Sequence, residues 1–317
     1  MKYLLAALVL AMSSPTIAAQ LLVLNKADAT LAFVDPQSGV TRATVPTGVG
    51  PHEIELSTDG KFAFVSNYGT NTPGNSLSIV DVSARRESKR VDLGELQRPH
   101  GLTFTNGQLY FTAEQSQRVG RLDPATARVE WTFPTEQQGT HMVLAARDGT
   151  RLFTSNISSN TVGIFERSSN DWTQTLVSVG AGPEGLDQSP DGRELWSAHS
   201  RDGAISIIDL ASKKVTQTVD AKTRRSNRLK FTNDGALVLV SDLGAGELVI
   251  IDARKRTQLK RLALGRAPTG ILIPPGGEVA YVALSGENKI AVIDLKSLTV
   301  AKSIETGGSP DGMAWAR

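Results

Sequence analysis

The stretch GPHEIELSTDGKFAFVSN, residues 50–67, holds most of what is needed to read the fold. A short run alternating apolar and polar residues (His52 to Leu56) meets the turn Thr58-Asp59-Gly60. A second apolar run, Phe62 to Val65, follows it. Two such runs around an Asx-Gly pair describe an antiparallel hairpin, because Gly supplies the positive φ the turn requires. The unit then recurs. GPHEIELS at 50, RPHGLTF at 98, GTHMVLA at 139, GPEGLDQS at 182, RSNRLKF at 225, APTGILI at 267 and SPDGMAW at 309 all open in one register. Their marker residues are His52, His100, His141, Glu184, Asn227, Thr269 and Asp311, separated by 48, 41, 43, 43, 42 and 42 positions.

Each repeat also has one internal order. A first strand leads through a tight turn into a second, such as LYFTAE or ELWSAH. A polar turn follows, then a third strand ending in Asp, such as ISIIDL, and a fourth such as KKVTQTV. Four short strands in about 42 residues is the pattern of a propeller blade. The N-terminal LLVLN, LAFVD and VTRATV supply strands two to four of a blade, and the C-terminal PDGMAWAR supplies its first strand. The reading is therefore an all-β, seven-bladed β-propeller of residues 20–317 as one domain, with the last blade built from both chain ends. Closing the ring in this way removes free sheet edges.

Residues 1–19 read as a separate object. Lys2, the apolar run Leu4–Met12 and the small residues of SSPTIAA have the order of a cleaved secretory signal peptide. The expectation is a periplasmic or secreted protein, monomeric and not inserted in a membrane. There is no cysteine, which excludes disulfides, lipid anchors and thioether-bound haem. The formal charge is +2, or +1 without Lys2, too small to draw the whole molecule to nucleic acid or membrane.

Segments such as FVSNYGTN–NSLSIVDV and FTSNISSNTVGIFE resemble the YVTN-type β-propeller repeats of YncE-like exported bacterial proteins. The resemblance runs over residues 21–317. It implies the propeller fold and leaves the activity open, since related propellers include binding proteins, lactonases, lyases and metal or haem enzymes. Three histidines differ from the oxygen ligands expected of a gluconolactonase. The resemblance also brings single-stranded DNA into view, but no aromatic residues interleave with Arg224, Arg225 and Arg228 to stack bases. Nucleic acid is therefore not expected as a partner.

The chain has only four histidines. Three occupy the marker position in consecutive blades, with Glu184 in the next. His199, beside Asn25, Asn67, Glu114, Asn156, Asp242 and Leu284, is assigned to the ends of the second strands, at the same mouth of the ring. Imidazoles with a carboxylate suit a transition ion better than an all-oxygen site. One divalent ion (Zn, Cu, Fe, Mn or Ni) is expected on His52, His100, His141 and Glu184, with His100, His141 and Glu184 as candidate catalytic groups. His199, Asn227, Arg228 and Asp311 are candidates for holding a small-molecule substrate, and an arginine could take its anionic group. The expected activity is that of a metal-dependent hydrolase or lyase. The alternatives are a non-catalytic protein that binds a ligand or an envelope protein, a carrier of copper or zinc, or a polar funnel in which the histidines only cap loops. The repeated Asp35, Asp81, Asp123, Asp209, Asp252 and Asp294 are assigned to turns, and Trp131, Trp172, Trp196 and Trp315 to packing.

Overall fold

The computed structural model describes residues 19–168 and 171–317. The leader read at residues 1–19 therefore lies, apart from Ala19, outside the described residues. The described chain forms seven four-stranded antiparallel sheets arranged as a ring. Blade 1 joins β28 (Pro310–Ala316) to β1 (Gln20–Asn25), β2 (Thr30–Val34) and β3 (Thr41–Pro46), so both chain ends build it. Blades 2 to 7 occupy residues 51–92, 99–134, 140–178, 183–220, 226–263 and 268–305.

Burial follows position in the blade. In β1 the run Leu21–Leu24 is buried on both faces, because neighbouring sheets cover it from each side. Such strands read as continuous apolar runs. The outermost strands, such as β27 (Thr299–Glu305), are exposed almost throughout. The turns behave as their residues dictate. Gly60 has a φ of +70°, and Asp59 Oδ1 accepts from the Lys61 N–H at 3.1 Å. Asp35 Oδ1 likewise accepts from the backbone of Gln37 and Ser38 at 3.0 Å, as a turn-capping aspartate should.

The inner strands β4 (Pro51–Leu56), β8 (Pro99–Thr105), β12 (Thr140–Ala145), β16 (Pro183–Gln188), β20 (Ser226–Phe231), β24 (Pro268–Leu272) and β28 line the axis. Each carries the same irregularity. In blade 2, Pro51 pairs with Asn67 and Ile54 with Val65, so three steps on the inner strand face two on its partner. All seven blades repeat this bulge at the same place. A bulge breaks the strict in-out alternation and re-aims a side chain. Here it frees the marker residue and the one after it from the sheet's alternation. In blade 3 the second of these is Gly101, where a Cβ would lie 2.5 Å from the Val143 backbone nitrogen of the next blade. In blades 2 and 6 it is Glu53 and Arg228.

Candidate metal centre at the channel mouth

The three marker histidines form a stack. The His52 and His100 rings lie 4.1 Å apart between centroids, and His100 and His141 lie 3.6 Å apart. His100 is fully buried and neither of its ring nitrogens has a protein partner among the described residues. Burial, reinforced by the neighbouring His141 and His52, holds its pKa well below the usual 6.5. His100 is thus a neutral imidazole, the form that ligates metals.

The two ends of the stack differ. His141 Nδ1 lies 2.7 Å from Glu114 Oε2. Burial pushes the Glu114 carboxyl up, but its hydrogen bond and charge interaction with His141 more than offset this and hold it below the ordinary value. An ionised carboxylate only accepts, so Nδ1 carries a proton and Nε2 is the nitrogen turned away from Glu114. That nitrogen has no hydrogen-bond partner and stands 4.0 Å from Glu184 Oε1. Asn227 Nδ2 donates to the same Glu184 oxygen at 2.5 Å, and Tyr68 Oη donates to Glu114 Oε1 at 3.1 Å. No lysine or arginine nitrogen lies within 4.0 Å of Glu114 or Glu184 among the described residues.

His52 sits among cations. The Lys26 ammonium can only donate, and it lies 2.9 Å from His52 Nε2. The remaining ring proton is therefore on Nδ1, which lies 3.5 Å from Glu53 Oε1 and 3.4 Å from Asp311 Oδ2. Lys26 also pairs with Asp311 at 3.2 Å. Burial raises the Asp311 carboxyl, but His52, Lys26 and Arg228 outweigh it and bring the pKa down to about 2. Arg228 crosses the channel to pair with Glu53, 175 residues away in sequence. This pair lies at the head of an axial cavity of about 250 Å³, lined lower down by Glu55, Met142 and Leu272.

Among the described residues, two sets of side chains each offer ligand atoms within 4.8 Å of one another: His52, Glu53 and His100, and His100, Glu114 and His141. His100 belongs to both. Glu184 belongs to neither set; it stands beside the His52, His100 and His141 stack, 4.0 Å from His141 Nε2, with Asn227 bonded to it, and Asp311 stands beside His52. The structure sets His199 apart. His199 Nδ1 bonds Asp202 Oδ1 at 3.0 Å, and Asp202 also accepts from the Ala181 and Ala204 N–H groups. His199 therefore fastens the loop entering blade 5. Arg228 likewise has its charge committed to Glu53.

Three participants escape the repeat register. In blade 3 it is Ala113 that pairs with Pro99, so Glu114 stands one residue beyond the second-strand end. Its equivalents in blades 1 and 2 are Lys26 and Tyr68, one past Asn25 and Asn67. Reading one residue farther along each second strand is the signal that finds all three.

A family model described as YNCE-like beta-propeller matches residues 21–274. The chain belongs to the YncE-like β-propeller family. Antigen Lp49 of Leptospira interrogans is 21% identical over 263 residues, which cover 75% of this chain and 57% of that protein. YncE of Salmonella typhimurium is 26% identical over 144 residues, 44% of this chain and 40% of its own length. The matches thus span well under two thirds of these relatives. Among solved structures, hydrazine synthase of Kuenenia stuttgartiensis superposes with a TM-score of 0.71 at 19% identity, covering 83% of this chain and 88% of that one. At that identity the likeness concerns the fold alone.

Proposed function

We propose that this YncE-like propeller binds one divalent transition ion at its channel mouth, through His100, Nε2 of His141 and Glu184. Glu114 is the outer partner that orients His141. The observation that carries this reading is a charge imbalance. Two carboxylates, Glu114 and Glu184, flank two imidazoles with no lysine or arginine nitrogen within 4.0 Å among the described residues, and Nε2 of His141 faces a Glu184 oxygen 4.0 Å away. With the His141 imidazole neutral, Nε2 and the Glu184 oxygen are two electron-rich groups that a cation bonded to both, at about 2.0–2.2 Å each, would draw together. A carboxylate behind the ligating imidazole is a recurrent support of such sites, because it fixes the tautomer and ring orientation.

Three protein ligands leave a coordination position for water or substrate, the arrangement a hydrolase or lyase uses. A bound ion would supply Lewis acidity there. The chain's own residues would exclude bulk water, hold the ligands in place and, through Lys26, put a fixed cation at the far end of the stack. We place the protein outside the cytoplasm on the composition of residues 1–19. Calorimetric titration of untagged, chelator-treated protein with Zn²⁺ and Cu²⁺ tests the metal reading. A saturable isotherm that disappears in His100→Ala supports it. An isotherm unchanged in His100→Ala overturns it, and so does the absence of binding by the native chain.

A further inference from the structure

On the opposite face, between blades 2 and 3, lies a cavity of about 660 Å³. The propeller's internal repetition shows why it is there. The equivalent contact between blades 5 and 6 is sealed. Trp196 packs edge-on against Phe231 with centroids 5.3 Å apart, and its indole N–H donates to Glu194 Oε2 at 2.8 Å. Arg256 then closes the contact by pairing with Glu194 at 2.5 Å and donating to Gln217 at 2.7 Å.

Strand register maps these residues onto blades 2 and 3 one by one. Leu56 pairs with Ala63 as Gln188 pairs with Leu195, so Phe62 stands for Glu194 and Phe64 for Trp196. In the same way Lys89 stands for Gln217, Phe104 for Phe231 and Ala127 for Arg256. A smaller ring replaces the indole and a methyl replaces the guanidinium. The first turn of blade 3 is also cut to two residues, Asn106-Gly107, where blades 2, 4, 5 and 6 have five. Phe64 and Phe104 face each other within 9° of parallel at 5.5 Å. Phe62, 36% exposed, and the half-buried Phe104 present aromatic surface to the cavity, while Phe64 is fully buried.

The charges at the rim specify the occupant further. Asp59 pairs with Lys61 at 3.2 Å. Asp123 is saturated by the backbone of Ala125 and Thr126 and the Thr126 hydroxyl. Lys89 donates only to the Thr126 carbonyl at 3.3 Å, with no carboxylate within 4.0 Å among the described residues. We infer that this slot binds an aromatic small-molecule anion, its ring against Phe62 and Phe104 and its anionic group on Lys89. The volume falls in the range of small-molecule sites, and an aromatic body with one fixed ionic contact is how such sites obtain orientation. The site is independent of the metal centre.

The test uses 1-naphthoate and its neutral analogue 1-naphthamide, titrated by calorimetry. The native chain should bind naphthoate saturably below about 1 mM. Grafting the blade 5–6 seal as Phe62→Glu, Phe64→Trp and Ala127→Arg together should abolish binding. Arg256 already tolerates the left-handed backbone that Ala127 adopts, with φ +57° against +54°. The single change Ala127→Arg serves should the triple variant fail to fold. Lys89→Ala should weaken naphthoate about 10-fold and leave naphthamide unchanged, as loss of a hydrogen bond to a charged group predicts. No saturable binding by the native chain overturns the inference. So does binding that survives Ala127→Arg, or equal loss of both probes in Lys89→Ala.

Discussion

The two ends of the histidine stack are built from the same repeat position, yet their charges are arranged differently. Around His52, the cations Lys26 and Arg228 meet the carboxylates of Glu53 and Asp311, and the local charge cancels. Around His141, neither Glu114 nor Glu184 has a lysine or arginine nitrogen within 4.0 Å among the described residues, and Arg228, which acts on Glu184 at longer range, is paired to Glu53. Each side is a pair of histidines at one repeat position, so histidine count and repeat position do not distinguish a ligand from a structural group. The partner on the second ring nitrogen does. A carboxylate on Nδ1 leaves Nε2 free as a donor atom for a metal, whereas an ammonium on Nε2 uses up the lone pair. The pair His52–His100 is thus the end closed by the protein's own cations, and His100–His141 is the end that awaits one.

The largest expected effect breaks the comparison outright. His141→Ala should lower affinity for Zn²⁺ or Cu²⁺ more than about 100-fold, since losing an outer partner alone costs 10–100-fold. His52→Ala should change it little; competition with a chromophoric chelator measures both. Next, Glu114→Gln keeps the shape but gives His141 a neutral partner, and should weaken metal binding by about 10–100-fold. The same titration checks it, and an unchanged affinity would remove Glu114 from the account.

A third expectation concerns pH. His100 and His52 both have pKa values lowered chiefly by burial, from an ordinary 6.5. The unfolded chain takes up protons there as pH falls below 6.5 while the folded chain does not. Metal-free stability should therefore hold above pH 6.5 and decline below it. Urea unfolding at pH 7.5 and pH 5.5 reads this, and His100→Gln should reduce the difference. The smallest effect sharpens the comparison: Lys26→Ala frees His52 Nε2 and removes a positive charge. Metal affinity should rise about 5-fold, on the order of 1 kcal/mol. A fall instead would show that Lys26 supports the site.

Much of this was legible in sequence because the repeat imposes its register seven times. Blade count, ring closure, turn aspartates and the arc from His52 to Glu184 all follow from that periodicity. The rest depended on geometry that periodicity hides. The bulge at each inner strand puts the residue after the marker toward the channel in blades 2 and 6, which is how Glu53 and Arg228 meet across three blades. One residue's difference in register moves Glu114 out of the set holding Asn67 and into the set holding Lys26 and Tyr68. His199 shares the position of Asn25 and Asn67, and it does the same work they do on the loops beside them.

The most direct measurement is elemental analysis of the untagged protein after loading with Zn²⁺ or Cu²⁺ and dialysis. One ion per chain is expected, kept in His52→Ala and lost in His141→Ala. No stoichiometric ion in the native chain, or loss with His52 and retention without His141, would contradict it.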